Sequence, residues 1–288
     1  MTAPRMTAPR MTAPRVPAPR SPAAVERLRS WADENFLAGF ALLSRHQAAG
    51  PARDPRRFGG AVAFATGRPD AFFNPIVVLE PVAAADLRAA IEWMSAIGGP
   101  CSIRVREDLD ESDVRAVAEA AGLVRDPWAD PAMVMQPLGA APPAPAGLSI
   151  EEADPADPDR FYAANASGFE IPSEALAIVR QLTPPSVFGD PAIRLFGGYL
   201  DGDPVACSYA IRSGSVVGVY AVGTAARARR RGIGTAMTWA AVEAGRAWGC
   251  EAATLQASPM GEPVYRAMGF ETVTRYVNYE PPKTGRAG

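Results

Sequence analysis

The sequence has one histidine, His46, and three cysteines, Cys101, Cys207 and Cys250, among 288 residues. A single histidine excludes a histidine-based metal cluster, so no metal is expected. Its place in a helical stretch of the first half argues against a Ser-His-Asp triad. The cysteines are widely spaced and lack a Cys-x-x-Cys pair. They read as reduced, buried thiols of a cytoplasmic protein. No apolar run reaches the ~18 residues of a membrane span. Charge is nearly balanced, at a net −2, which gives no general attraction to nucleic acid or to an anionic membrane.

What is present suffices for two domains: 48% apolar and 21% charged residues over a chain of this length. The prolines concentrate in two places. Residues 1–20 repeat Met-Thr-Ala-Pro-Arg three times and end in Val-Pro-Ala-Pro-Arg. A proline every fifth residue prevents helix and sheet, so 1–20 is expected to be a disordered basic tail. It lacks the apolar centre of a signal peptide. Residues 138–147 form a Pro/Ala linker, which divides a first domain over 21–137 from a second over 148–282, with a tail at 283–288.

In the first half, Ser21-Pro22 opens a helix to about Ala49. Strands are expected over 61–66 and 72–79, a helix over 84–97, a strand over 101–105, a helix over 111–121 and a short strand over 133–136. In the second half, strands at 148–151, 193–200, 205–212, 215–222, 253–256 and 271–279 alternate with helices at 157–165, 173–182, 233–248 and 262–268.

The second half is organised around Val216–Gly234. A Val-rich run reads as a buried strand to Val222. Four arginines, Arg227, Arg229, Arg230 and Arg231, then precede Gly232 and Gly234. From Ile233 apolar residues recur every three or four positions, which describes one face of a helix. Strand, glycine-containing basic loop and helix N-terminus together suit a phosphate or pyrophosphate, because the first helical N–H groups lack partners and glycine lets the ligand approach. The sequence has no G-x-x-x-x-G-K-[ST] here and no G-x-G-x-x-G, which sets aside a P-loop and a dinucleotide fold.

Arg229-Arg230-Arg231-Gly232-Ile233-Gly234 fits [Arg/Gln]-x-x-Gly-x-[Gly/Ala], and Tyr265-Arg266-Ala267-Met268-Gly269-Phe270 fits Tyr-x-x-x-Gly-Phe, at a separation that leaves room for a helix and a strand. The pair resembles the acetyl-CoA loop and late tyrosine of the GNAT acetyltransferases. The resemblance implies an α/β (α+β) fold with a central mixed, mostly antiparallel sheet flanked by helices. It also implies acetyl-CoA as co-substrate and transfer of its acetyl group to a small-molecule or peptide amine by a monomer or homodimer. The backbone amides of Arg230, Arg231, Gly232, Ile233, Gly234 and Thr235 would hold the pyrophosphate, and Arg227, Arg229 and Arg231 are candidates for outer phosphate contacts. The backbone of Val222, Gly223 and Thr224 would bind pantetheine and present an oxyanion donor. Tyr265 would be the general acid. Ser258 stands where many relatives have a cofactor-contacting asparagine; other members carry Ser-x-Met-Gly, as here.

No carboxylate on the strand before the loop offers itself as a base; Glu170, Tyr209 and Tyr220 are candidates near the acceptor pocket. The first half resembles the degenerate partner domain of two-domain members, so the fold is expected in tandem. Its Arg56-Arg57-Phe58-Gly59-Gly60-Ala61 also fits the loop pattern, but it precedes a strand and opens no helix, so it reads as a loop. Two alternatives stay open. One is a CoA-binding sensor or scaffold without turnover. The other is a narrower enzyme such as mycothiol synthase, against which Ser258 counts.

Overall fold

The computed structural model describes residues 20–47, 54–66, 68–97 and 99–282. The expected disorder of 1–20 therefore lies outside the described residues, save for Arg20, which donates to Glu271 and Gln136.

The first half runs α1 (Pro22–Gln47), β1 (Arg56–Phe58), β2 (Ala61–Ala63), β3 (Pro75–Val78), α2 (Ala84–Ile97), β4 (Ser102–Arg106), α3 (Ser112–Ala120) and β5 (Val124–Met135). The second runs β6 (Leu148–Glu152), α4 (Pro158–Gly168), α5 (Leu176–Leu182), α6 (Pro185–Phe188), β7 (Ile193–Leu200), β8 (Asp203–Ser213), β9 (Val216–Thr224), α7 (Ile233–Ala247), β10 (Ala252–Gln256), α8 (Glu262–Ala267) and β11 (Glu271–Glu280). All eleven strands join one sheet in the order β1-β2-β3-β4-β11-β5-β10-β9-β8-β7-β6. Only β3–β4 and β9–β10 are parallel, so the sheet is mixed and mostly antiparallel, with helices on its faces, as the sequence leads one to expect.

The halves interleave. β5, from the first half, pairs with β10 of the second, and β11, at the end of the chain, pairs with β4 of the first. β5 and β11 also pair with each other along most of their length. β5 is three times longer than the four residues expected from its sequence. Pro127 and Pro131 mask it, since proline normally argues against an interior strand. Pro127 is accommodated where the pairing with β11 shifts register between Val277 and Tyr279, a bulge of the kind that tolerates a missing donor.

A second difference lies at Arg56–Phe58, read as loop from sequence. It is a short strand in a hairpin with β2, turned by Gly59 at φ +55. The Arg56 guanidinium sits over Phe58 and Trp93, a stacking that binary patterning does not register. Residues 72–79 divide likewise into a single 3-10 turn over Ala71–Phe73, capped by Asp70, and a shorter strand.

Helix α1 belongs to the first half by sequence and lies across both. Leu28, Ala32 and Phe36 bury against Val77, Val134, Val216, Ala252 and Tyr276, from strands of either half. Phe36 stacks on Tyr276 at 4.7 Å, a pairing worth about 0.5–1.5 kcal/mol beyond area burial. Buried Asp33 accepts from Tyr276 at 2.6 Å and from Arg106 at 2.7 Å. Burial still holds the Asp33 carboxyl above its usual range. On the opposite face α7 packs Ile233, Met237, Ala241 and Val242 onto Val217, Val219, Ala253 and Leu255.

Candidate functional site

Strand β9 runs as expected through its Val-rich start, then breaks pattern. Between the pairs Tyr209–Tyr220 and Cys207–Gly223 it carries one extra residue, and Ala221 takes φ +48. This is a bulge, which bends the strand and redirects its backbone groups. Its pairing with β10 ends at Gly218–Thr254, six residues before Thr224. The two parallel strands therefore part beyond that point and leave a gap. Gly223, on the gap, touches α4 closely: a Cβ there would lie 3.0 Å from the Gly168 carbonyl carbon.

After β9 a 3-10 turn over Ala226–Ala228 leads into the loop. Arg230 takes φ +59 and Gly232 φ +76. A non-glycine residue at such φ is uncommon, and two reversals within three residues curl the backbone ahead of α7. Gly232 caps the helix without a side chain, and no acidic residue occupies the first turn. The first helical bond is Ala236 N–H to the Gly232 carbonyl at 3.0 Å, so the amides preceding Ala236 lie outside the helix's own bonding. Ile233 is buried as the helix anchor; Gly234 lies under Thr224, with 3.5 Å between a Cβ there and Oγ1. The structure thus brings Val222, Gly223, Thr224, Arg229, Arg230, Arg231, Gly232, Ile233, Gly234 and Thr235 to one strand end and one helix N-terminus.

The arginines divide by partner. Arg227 donates to Ser167 and to the Pro204 carbonyl. Arg229 donates to the Thr224 carbonyl at 3.0 Å and pairs with Glu170 at 3.3 Å. Glu170, at φ +56, also accepts from Ala226 N–H at 3.1 Å. It thereby clasps the loop, in an exposed pair of small energetic worth. Arg230 and Arg231 are exposed and make no ion pair among the described residues.

Tyr265 sits on α8 and packs edge-on to Phe270 at 6.0 Å, which explains the need for Gly269-Phe270 in register. Burial pushes the Tyr265 phenol above its ordinary value, and a hydrogen bond with Thr238 of α7 offsets part of the rise. The ring also explains Gly261: a Cβ there would stand 2.8 Å from it. Ser258 Oγ accepts from Gly261 N–H at 3.2 Å, so it orders the turn into α8.

Tyr209 is buried, Tyr220 is partly buried, and both are bonded. Tyr209 hydroxyl meets Thr183 at 2.6 Å and Asn165 at 3.1 Å. Tyr220 donates to Asn35 of α1. Burial raises both phenols, so neither is placed to take a proton. The structure corrects the sequence reading of His46, which is not remote from the second half. It bonds Ser186 Oγ through Nδ1 and Asp190 Oδ2 through Nε2, both at 2.9 Å. Distance in sequence hid this Ser–His–Asp set. Ser186 is exposed on the four-residue α6, and the set fastens the end of α1 to the other half.

A cavity of about 1050 Å3 lies between the 68–73 turn, α5 and Glu280–Pro282. Phe72 and Ile178, both half exposed, line it, and Arg68 bridges it to Gln181 at 2.9 Å. A smaller one, of about 360 Å3, lies outside α7 beside Arg194 and Glu243. The 229–235 loop lines neither. Among the described residues no helix is long and apolar enough to cross a membrane.

The family described as acetyltransferase (GNAT) domain matches residues 148–258. No curated protein matches the sequence. Among solved structures, the chain is similar to a GCN5-related N-acetyltransferase from Kribbella flavida, at TM-score 0.62 and 20% identity, covering 86% of this chain and 95% of that one. It is also similar to a tandem GNAT protein from the clavulanic acid biosynthesis pathway, at TM-score 0.55 and 20% identity, covering 90% and 96%. A third, a GCN5-related N-acetyltransferase from Sphaerobacter thermophilus, gives TM-score 0.53 and 17% identity over 76% of each chain. The C-terminal half carries a GNAT acetyltransferase domain, and the whole chain has a tandem-like GNAT fold.

Proposed function

We propose that the chain is an acetyl-CoA-dependent N-acetyltransferase that moves the acetyl group directly onto an amine. One observation carries this reading: a bulged β9 parts from β10 beside an uncapped helix N-terminus. The amides of Arg230 to Thr235, with the helix dipole, would neutralise a pyrophosphate. Arg230 and Arg231 would add charge at its rim. Backbone groups of Val222, Gly223 and Thr224, freed by the parting of the strands, would pair with the pantetheine arm. One N–H there would donate to the carbonyl oxygen as it gains charge. Tyr265 would return a proton to the sulfur; a desolvated phenol keeps its proton at neutral pH. Ser258 supports this site through the turn that presents α8. Residues 138–147 would link two domains, the first being the partner that lacks a CoA loop.

The test is thiol release from acetyl-CoA with a panel of primary amines. Amine-dependent release above the buffer rate is expected. Tight CoA binding with no release for any amine would leave a sensor or scaffold instead.

A further inference from the structure

Resting on the acetyl-transfer reading, we propose that Asp130 of β5 takes the proton that the acceptor amine sheds as the new C–N bond forms. β10 ends at Gln256, opposite Ala132 of β5. β5 continues past that end toward residue 124, and on the other flank β9 continues to Thr224. Where β10 is missing, β9 and β5 are separated by two strand spacings, roughly 10 Å. One further bond, Ala257 N–H to the Pro131 carbonyl at 3.0 Å, follows the last paired position, and Asp130 is the first β5 residue beyond it. Across the gap lies the bulged stretch of β9.

Its face follows from alternation. Ala132 and Val134 pack under α1 with Val216 and Tyr276, and Asp130 pairs directly with Tyr276. Asp130 therefore lies on the α1 face. Tyr265 packs against the core cluster that contains Met133, Met135, Val217 and Leu255, on the α7 face. Base and acid thus stand on opposite faces of one gap. Nitrogen adds to the thioester carbon to give a tetrahedral intermediate, which expels the sulfur on collapse, so the base acts at nitrogen and the acid at sulfur without competing for one position.

The side chain suits the task. Oδ2 accepts from Asn278 Nδ2 at 3.0 Å and from Arg104 Nη1 at 3.2 Å. Oδ1 has no hydrogen bond among the described residues. The Asp130 side chain keeps 24% of its surface exposed, against 5% for Arg104. Arg104 is thus a buried positioning residue, set under the Phe72 ring at 5.0 Å, while one carboxylate oxygen stays open. Burial raises the Asp130 carboxyl, neighbouring Asp126 adds to the rise, and Arg104 opposes it. Glu280 acts on Arg104 from β11. The step balances: nitrogen bonds to the acyl carbon, its proton passes to Oδ1, the C–S bond breaks, and Tyr265 protonates the thiolate. Asp130 then releases its proton to solvent and Tyr265 regains one.

The test is single-turnover thiol release across a pH series. Benzylamine, tyramine and lysine ethyl ester serve as probe acceptors, and water alone as a fourth, in which hydrolysis replaces aminolysis. With rates normalised to the free-base amine, whose own protonation otherwise shapes the acid limb, Asp130→Asn is expected to slow the reaction roughly 100-fold, to leave acetyl-CoA affinity within about twofold, and to erase the acid limb of the rate profile. Asp130→Glu should keep a limb. Arg104→Met, which retains the carboxylate but removes its cation, should move the limb to higher pH. A merely structural pair would lower the rate without moving the limb. If Asp130→Asn fails to fold, the other two variants still read the limb. An active wild type with an unchanged rate and limb in Asp130→Asn overturns this assignment alone. A wild type inert toward all four acceptors overturns the acetyl-transfer reading, and this assignment with it.

Discussion

The molecule contains the same strand–helix–strand crossover twice. In the first half β3, α2 and β4 form it; in the second, β9, α7 and β10. β3 and β4 stay paired along the whole of β3, from Pro75–Ser102 to Val78–Val105. β9 and β10 stay paired for three positions and part. Five residues, 79–83, join β3 to α2, and the first turn of α2 carries Asp86. Eight residues, 225–232, join β9 to α7, and its first turn carries no acid. The space ahead of α2 is filled: a Cβ at Gly59 would collide with Asp86, and one at Gly60 with the Glu80 and Pro81 carbonyls. Shared topology does not make a phosphate site. A site also needs strands that part, a loop long enough to curl, and a helix N-terminus left without its own anion.

Two changes at the second crossover test this contrast most severely. Gly232→Val places a β-branched side chain at φ +76, a left-handed conformation that costs about 1–2 kcal/mol, and directs it toward Pro145. Acetyl-CoA affinity by calorimetry should fall beyond roughly 1,000-fold, or about 4 kcal/mol, with the circular dichroism spectrum retained. Wild-type titration should reach a stoichiometry of one per chain, and the variant should retain no second saturable site. Binding at α2 that survives Gly232→Val would dissolve the distinction between the halves.

Next in size is Tyr265→Phe, expected to lower single-turnover acetyl transfer roughly 100-fold with acetyl-CoA affinity nearly unchanged, since only a hydroxyl is removed. The pH dependence carries a sign. Desolvation raises this phenol above the ordinary tyrosine value, so its proton stays available at neutral pH and the alkaline fall in wild-type rate should be centred above that ordinary value. A fall centred below that value would assign the alkaline limb to another group. An unchanged rate in Tyr265→Phe would reduce the residue to packing against Phe270.

Much of this contrast is legible in the residues themselves. Gly232, Gly234 and the helical period from Ile233 mark the second crossover, and Tyr265 with Gly269-Phe270 marks its counterpart. The Arg56–Ala61 match to the loop pattern does not mislead, because no helix follows it. What is not legible is long-range. Pro127 and Pro131 conceal β5, and no local pattern tells that β5 will lie beside β10, or β11 beside β4. The partners of Asp130 are Arg104 and Asn278, 26 and 148 residues away in sequence, and His46 meets Ser186 across 140. Local pattern finds the strand-loop-helix unit; only the pairing of strands decides what faces its gap.

The smallest expected effect probes the first crossover. If Asp86 helps to occupy the α2 N-terminus, its charge stabilises the helix dipole, and Asp86→Asn should lower unfolding free energy by about 0.3–1 kcal/mol at low ionic strength. Urea unfolding of the full chain measures this, and the difference should shrink as salt rises, because the interaction is between a charge and a partly exposed helix end. Acetyl-CoA stoichiometry should stay at one in Asp86→Asn. Removing the anion empties only one of the three requirements: β3 and β4 still do not part, and the 79–83 connection remains too short to curl around a phosphate. A second acetyl-CoA site appearing in Asp86→Asn would mean that the self-supplied carboxylate alone separates the two crossovers, and that strand parting matters less than the comparison holds.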